Sequence, residues 1–125
     1  MSATIQGLQE AQAANAQAIA AARPDGGLGR AIKHATAAAH RYAVAHTPVD
    51  TGAWRASHRM ALEAARGRVE LQAGATNPRS RTPVKVYASA WEAKGGARAP
   101  YQRTYQDAGA PIAAEGGFAL LKELP

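Results

Sequence analysis

The chain has 125 residues, a length suited to one domain, and carries a net charge of +6. Only 6% of residues are aromatic and much of the 46% hydrophobic fraction is alanine, so the core is small and assembly with copies or partners is the expected source of further stability. The absence of cysteine excludes disulfides, thiolate metal sites and cysteine nucleophiles; no apolar run approaches the ~20 residues of a bilayer span, and no basic-then-apolar leader opens the chain, which predicts a soluble protein made in a cytoplasm.

Residues 2–22 read as a helix rich in Ala and Gln, with Ser2 or Thr4 as its N-cap. Ile5, Leu8, Gln12, Asn15, Ile19 and Ala22 fall at alternating spacings of three and four, a heptad-like seam with a polar middle. That seam lies either on its own domain or on a neighbouring subunit, where Gln12 and Asn15 would fix register. Residues 23–27 form a breaker and turn, and the glycines of residues 26–29 read as a flexible link. A second helix is expected over residues 28–46, with Leu28, Ile32, Ala35, Ala39, Tyr42 and Ala45 along its apolar face.

The next eleven residues, Thr47-Pro48-Val49-Asp50-Thr51-Gly52-Ala53-Trp54-Arg55-Ala56-Ser57, carry the most information. Pro48 stops the helix, Asp50 or Thr51 caps a new turn, and Gly52 takes a backbone angle other residues resist, at a place where a side chain would clash. The expected path is helix, tight corner, short turn, strand. An antiparallel hairpin follows over roughly 56–65 and 68–75, with Arg66-Gly67 between its strands. Residues 77–83 form an exposed basic loop. Residues 84–92 are apolar-rich, residues 93–100 a Gly-rich basic loop, residues 101–108 a short element, and Phe118, Leu121 and Leu124 mark a short C-terminal helix.

The corner resembles the tail-completion or neck proteins of long-tailed bacteriophages, the lambda gpZ-like minor tail group, in its run Thr-Pro-Val-Asp-Thr-Gly and the Trp54-Arg55-Ala56-Ser57 that follows. The likeness continues more loosely through Tyr87-Ala88, Trp91-Glu92 and Gly95, where Ala93-Lys94 intervene, and spans roughly residues 28–95. It implies a structural virion protein at the head–tail junction that completes the tail and joins it to the head. Such proteins act as rings around the DNA channel, a hexamer first and a dodecamer second. Their neighbours are head-closure or connector proteins and tail terminator or tail tube proteins, with DNA in the channel as a further contact and no membrane. In that family the residue 84–92 region either joins the sheet or forms a short helix. No catalysis and no cofactor are implied.

Residues 23–103 hold 14 of the 15 Lys and Arg but only five acids, a balance of +9. Arg79, Arg81, Lys85, Lys94 and Arg98 flank the two loops and are the expected docking or DNA-facing set. Trp54 and Trp91 are expected either in the core or at a subunit contact, and Arg55 at a subunit contact. The rival reading is a small basic nucleic-acid-binding protein, although the basic residues are spread over helix, hairpin and loops. Enzyme signals are weak. His34, His40 and His46 recur every six residues and turn about 120° from one to the next on a helix, so they share no face and no metal site is expected. Ser57 and His58 would point to opposite faces of a strand. The fold expected is α+β: two N-terminal helices, a small antiparallel sheet with a long hairpin, and short C-terminal elements in a single domain, with residues 1–24 reaching toward a neighbouring subunit.

Overall fold

The structure, a computed structural model, describes residues 2–49 and 51–125, with side chains from residue 7 onward. Asp50, the expected cap, and the side chains of Ser2, Thr4 and Ile5 lie outside the described residues. The fold is α+β, with helices α1 (Ser2–Ala22), α2 (Gly27–Ala45), α3 (Ala53–Ala56), α4 (Val84–Lys94), α5 (Pro100–Arg103) and α6 (Gly109–Leu121), and strands β1 (His58–Glu63) and β2 (Arg66–Leu71).

The Ala/Gln run makes α1 helical by intrinsic propensity rather than by packing. Among its described residues only Ala21, at its foot, is buried, while Leu8 is 59% and Ile19 56% exposed. Gln12 and Asn15 are exposed as well. The turn that follows is tightly packed rather than a flexible link. A Cβ at Gly29 would stand 1.9 Å from the Pro24 carbonyl oxygen, so a larger residue would force the corner open. An Arg30–Glu123 ion pair at 2.8 Å and a Gln17 Nε2 bond to the Glu123 carbonyl at 3.3 Å tie this corner to the C-terminal segment.

Helix α2 is central and packs against α6, both strands, α1 and α5. Its buried positions are Gly27, Ala31, Thr36 and Ala43, while Ala45, expected on the apolar face, is exposed. The small side chains replace a thick apolar core with close backbone approach.

The hairpin is present with a shifted turn. The register Glu63↔Arg66 leaves Ala64-Ala65 as the two-residue connection, so Arg66 and Gly67 belong to β2. Gly67 is required for packing: a Cβ there would lie 1.9 Å from Thr36 Oγ1 and 3.0 Å from Thr36 Cβ. Met60, Leu62, Gly67, Val69 and Leu71 share one face. On the other, Arg59 bonds Glu70 at 2.7 Å and Arg68 reaches Glu70 at 3.1 Å and Glu63 at 3.4 Å. Residues 72–75, expected in the second strand, leave the ladder, and Ala75 receives the Val84 N–H on its carbonyl at 2.9 Å.

The residue 77–83 loop is basic as expected, but its first residue is an internal fastener. Asn77 is buried, and its Oδ1 accepts the backbone N–H of Arg79 at 2.9 Å and of Ser80 at 3.3 Å. Residues 84–94 form helix α4 rather than a third strand, and Val84 and Ala88 join Trp54 in the main hydrophobic cluster. The C-terminal helix is longer than expected. From Pro100 the chain is helical through α5, a π-helical turn over residues 104–108 and α6. Pro100 sits at the first position of α5, where the missing N–H breaks no intrahelical bond, and Pro111 follows the π-helical turn.

Candidate docking cleft

The corner begins where α2 ends. His46 caps the helix, and Pro48 prevents a restart. Thr51 Oγ1 accepts the Ala53 N–H at 3.4 Å, a long contact that serves as a loose turn before α3. Gly52 has φ +83 and ψ −4, the left-handed conformation. A Cβ there would meet nothing within 4 Å, so backbone angle and not a clash selects glycine. Arg55 Nη2 donates to the Thr47 carbonyl at 3.1 Å and braces the corner across α3.

A buried chain of hydrogen bonds holds the corner from below. Thr47 Oγ1 donates to the Ala43 carbonyl at 2.6 Å, which uses its only proton. It therefore accepts from His58 Nε2, also at 2.6 Å. With the proton of a neutral His58 on Nε2, Nδ1 accepts the Tyr101 hydroxyl proton at 2.9 Å. His40 Nε2 donates to the His58 carbonyl at 3.0 Å. Burial, with a smaller contribution from His40, pushes the His58 pKa down to about 4, and burial raises that of Tyr101. The chain joins α2, the corner, β1 and α5.

Beside the corner lies an open cleft of about 360 Å³. One wall is Pro48, Val49, Thr51 and Gly52 of the corner. Trp54, Tyr87 and Trp91 form the aromatic floor, Asn77 closes one end, and Arg98 stands on the rim. Trp54 is 6% exposed and meets Tyr87 edge-on, with ring centroids 5.8 Å apart, so its area belongs to this chain's own core. Trp91 is half-buried, and both Lys94 Nζ and Arg98 Cζ lie over its ring, at 4.7 and 4.8 Å from the centroid. The corner and the Tyr87–Trp91 segment, far apart in sequence, thus line one cleft.

The expected docking cations differ from the other cations in their partners. Among the described residues, Arg81, Lys85, Lys94 and Arg98 form no ion pair with an acid, whereas Arg30, Arg59, Arg68 and Arg103 do. Arg81 has φ +58, the one non-glycine with positive φ among the described residues. Arg79 receives its turn from Asn77. Glu92 was not singled out as a functional group by its place in the sequence, yet it joins two helices. Its carboxylate accepts the N–H of Tyr101 at 2.8 Å and of Gln102 at 3.3 Å, at the start of α5.

The histidines and serine do not converge. His34 faces Glu115 at 3.5 Å, His46 Nδ1 bonds the Tyr42 carbonyl at 2.8 Å, and Ser57 Oγ donates to the Trp54 carbonyl at 2.6 Å. Among the described residues no three His, Asp or Glu side chains are grouped to hold a metal ion. No helix among them is long and apolar enough to cross a membrane. No protein-family model, curated protein or solved structure matches the chain.

Proposed function

We propose that the chain is a structural subunit of the bacteriophage neck, forming a ring at the head–tail junction that completes the tail and joins it to the head around the DNA channel. The observation that carries this reading is α1, a 21-residue helix in which, among the described side chains, only Ala21 is buried and Leu8 and Ile19 face outward. A helix of that kind gains its apolar contacts from another molecule. The corner that carries the resemblance supplies a second support, since Pro48, Val49, Thr51 and Gly52 line one side of a cleft. Phe118 (63% exposed) and Tyr105 add further uncovered apolar surface, in keeping with a protein whose interfaces complete it.

A hexamer is the favoured ring and a dodecamer the second choice. Head-closure or connector proteins on one side and tail terminator or tail tube proteins on the other are the proposed neighbours. The rival reading, a small basic nucleic-acid-binding protein, draws on the same cations. Pairing of Arg59 and Arg68 across the hairpin reduces the free positive charge that reading would use. Imaging of intact particles tests the proposal. A cyclic oligomer at the head–tail junction is expected; the protein distributed along the whole tail tube, or missing from particles, overturns it.

A further inference from the structure

The cleft beside the corner combines three properties. Its floor is aromatic, from Trp54, Tyr87 and Trp91. Its rim is cationic: Arg98 lines it, Lys94 lies over the same Trp91 ring, and neither has an acidic partner among the described residues. The one acid on α4, Glu92, has its carboxylate turned to the Tyr101 and Gln102 N–H groups and, among the described residues, pairs with neither rim cation. At about 360 Å³ the space is at the small end of ligand pockets and takes one or two side chains rather than a helix.

We infer that this cleft receives an acidic, extended segment of a neighbouring protein, with an apolar side chain such as leucine or proline on the aromatic floor and flanking carboxylates on Arg98 and Lys94. The inference rests on the docking reading above and names the chemistry of the partner. Charge complementarity selects the acid: a guanidinium that lies over an indole ring still directs its N–H groups outward at its edge, where a carboxylate accepts them in pairs. The aromatic floor selects the apolar side chain, because Pro48, Trp54 and Tyr87 offer little to a charged one. A nucleic-acid strand fits less well. Stacking a base on Trp91 competes with the two cations already over that ring.

The chain has two tryptophans, Trp54 and Trp91, and both line the cleft, so intrinsic fluorescence reports its occupancy. The full chain is titrated with an acetylated, amidated hexapeptide, Asp-Asp-Leu-Pro-Asp-Asp, with its lysine counterpart, and with a ten-nucleotide oligothymidylate. Saturable emission change with the acidic peptide alone is expected. Arg98→Ala and Lys94→Ala should each weaken it about tenfold, with far-ultraviolet circular dichroism unchanged. Trp91→Phe should keep binding while losing part of the signal. A response to oligothymidylate with none to the peptide overturns the inference in favour of nucleic acid. An emission change that follows protein concentration alone, abolished by Arg98→Ala, overturns it in favour of a second copy. No response to the acidic peptide, or equal binding of the lysine peptide, overturns it outright. These titrations are independent of where imaging finds the protein, so failure of the peptide chemistry and failure of the neck location are separate results.

Discussion

Thr47 Oγ1 accepts the Nε2–H of His58 at 2.6 Å while donating its own proton to the Ala43 carbonyl at the same distance. One hydroxyl thus fixes the histidine's tautomer and ties the end of α2 to the start of β1. Thr47→Val keeps the shape but removes both bonds, leaving the buried His58 N–H and the Ala43 carbonyl without their partner. A loss of about 2–3 kcal/mol is expected, read by urea unfolding, with Thr47→Ser recovering most of it. Equal stability for the valine variant would show that the bonds have no net worth.

The same relay sets a pH dependence. His58 is held neutral, with its pKa lowered to about 4 from 6.5 by burial first and His40 second. Between these values the unfolded chain binds a proton that the folded chain refuses. The contribution to stability is therefore complete above about pH 6.5, falls as pH drops toward 4, and changes no further below that. From pH 7 to 5 the expected loss is about 2 kcal/mol, an interval above the titration of most carboxylates. In His58→Gln that slope should disappear; an unchanged slope would assign it to other groups.

Gly67 and Thr36 should be coupled. A methyl at residue 67 overlaps Thr36 Oγ1, so Gly67→Ala is expected to cost about 1–3 kcal/mol. Thr36→Ala removes the oxygen and should recover part of that cost in the double variant, giving a non-zero interaction term in thermal melts. Gly52→Ala has free space around its Cβ but sits at φ +83, so it should cost about 1 kcal/mol from the backbone alone. No second-site change at a neighbouring side chain should rescue it.

Much of this arrangement was legible in the sequence, in proportion to how local its cause is. The helices α1 and α2 follow from Ala/Gln propensity and the Pro24 and Pro48 breaks. The hairpin follows from alternation at Met60, Leu62, Val69 and Leu71. Its turn falls at Ala64-Ala65 and not at Arg66-Gly67, because the reason for glycine at 67 is not a turn but Thr36, 31 positions earlier. Helix α6 begins well before Phe118, and the apolar spacing of Phe118, Leu121 and Leu124 marks only its end. Within it, Gly116 is buried against Ala35. The corner and the Tyr87–Trp91 segment were each visible, but their meeting in one cleft is tertiary. So are the Thr47–His58–Tyr101 relay and the Glu92 bond to the start of α5.

Glu92 offers a direct test of that last link. Both of its oxygens accept N–H groups at the α5 N-terminus, one of them at 2.8 Å. Glu92→Ala should cost about 0.5–2 kcal/mol, the range for losing a helix cap. Glu92→Gln, which keeps one acceptor, should cost less. Faster hydrogen exchange at Tyr101 and Gln102 in the alanine variant would localise the effect; uniform exchange rates across variants would remove Glu92 from the cap.

The exposed face of α1 separates folding from assembly most sharply. Leu8 lies well out along α1 and is mostly exposed, so Leu8→Glu should change the stability of the isolated subunit by no more than about 0.5 kcal/mol. If α1 lies on a neighbouring subunit, the same charge enters an apolar seam and should block incorporation into particles. The measurement pairs a thermal melt of the purified chain with complementation of a phage lacking the functional gene. Normal melting with loss of head–tail joining is the expected result. Fully infectious particles carrying Leu8→Glu would remove α1 from the interface, and a large drop in melting temperature would show that the helix is covered within its own subunit after all.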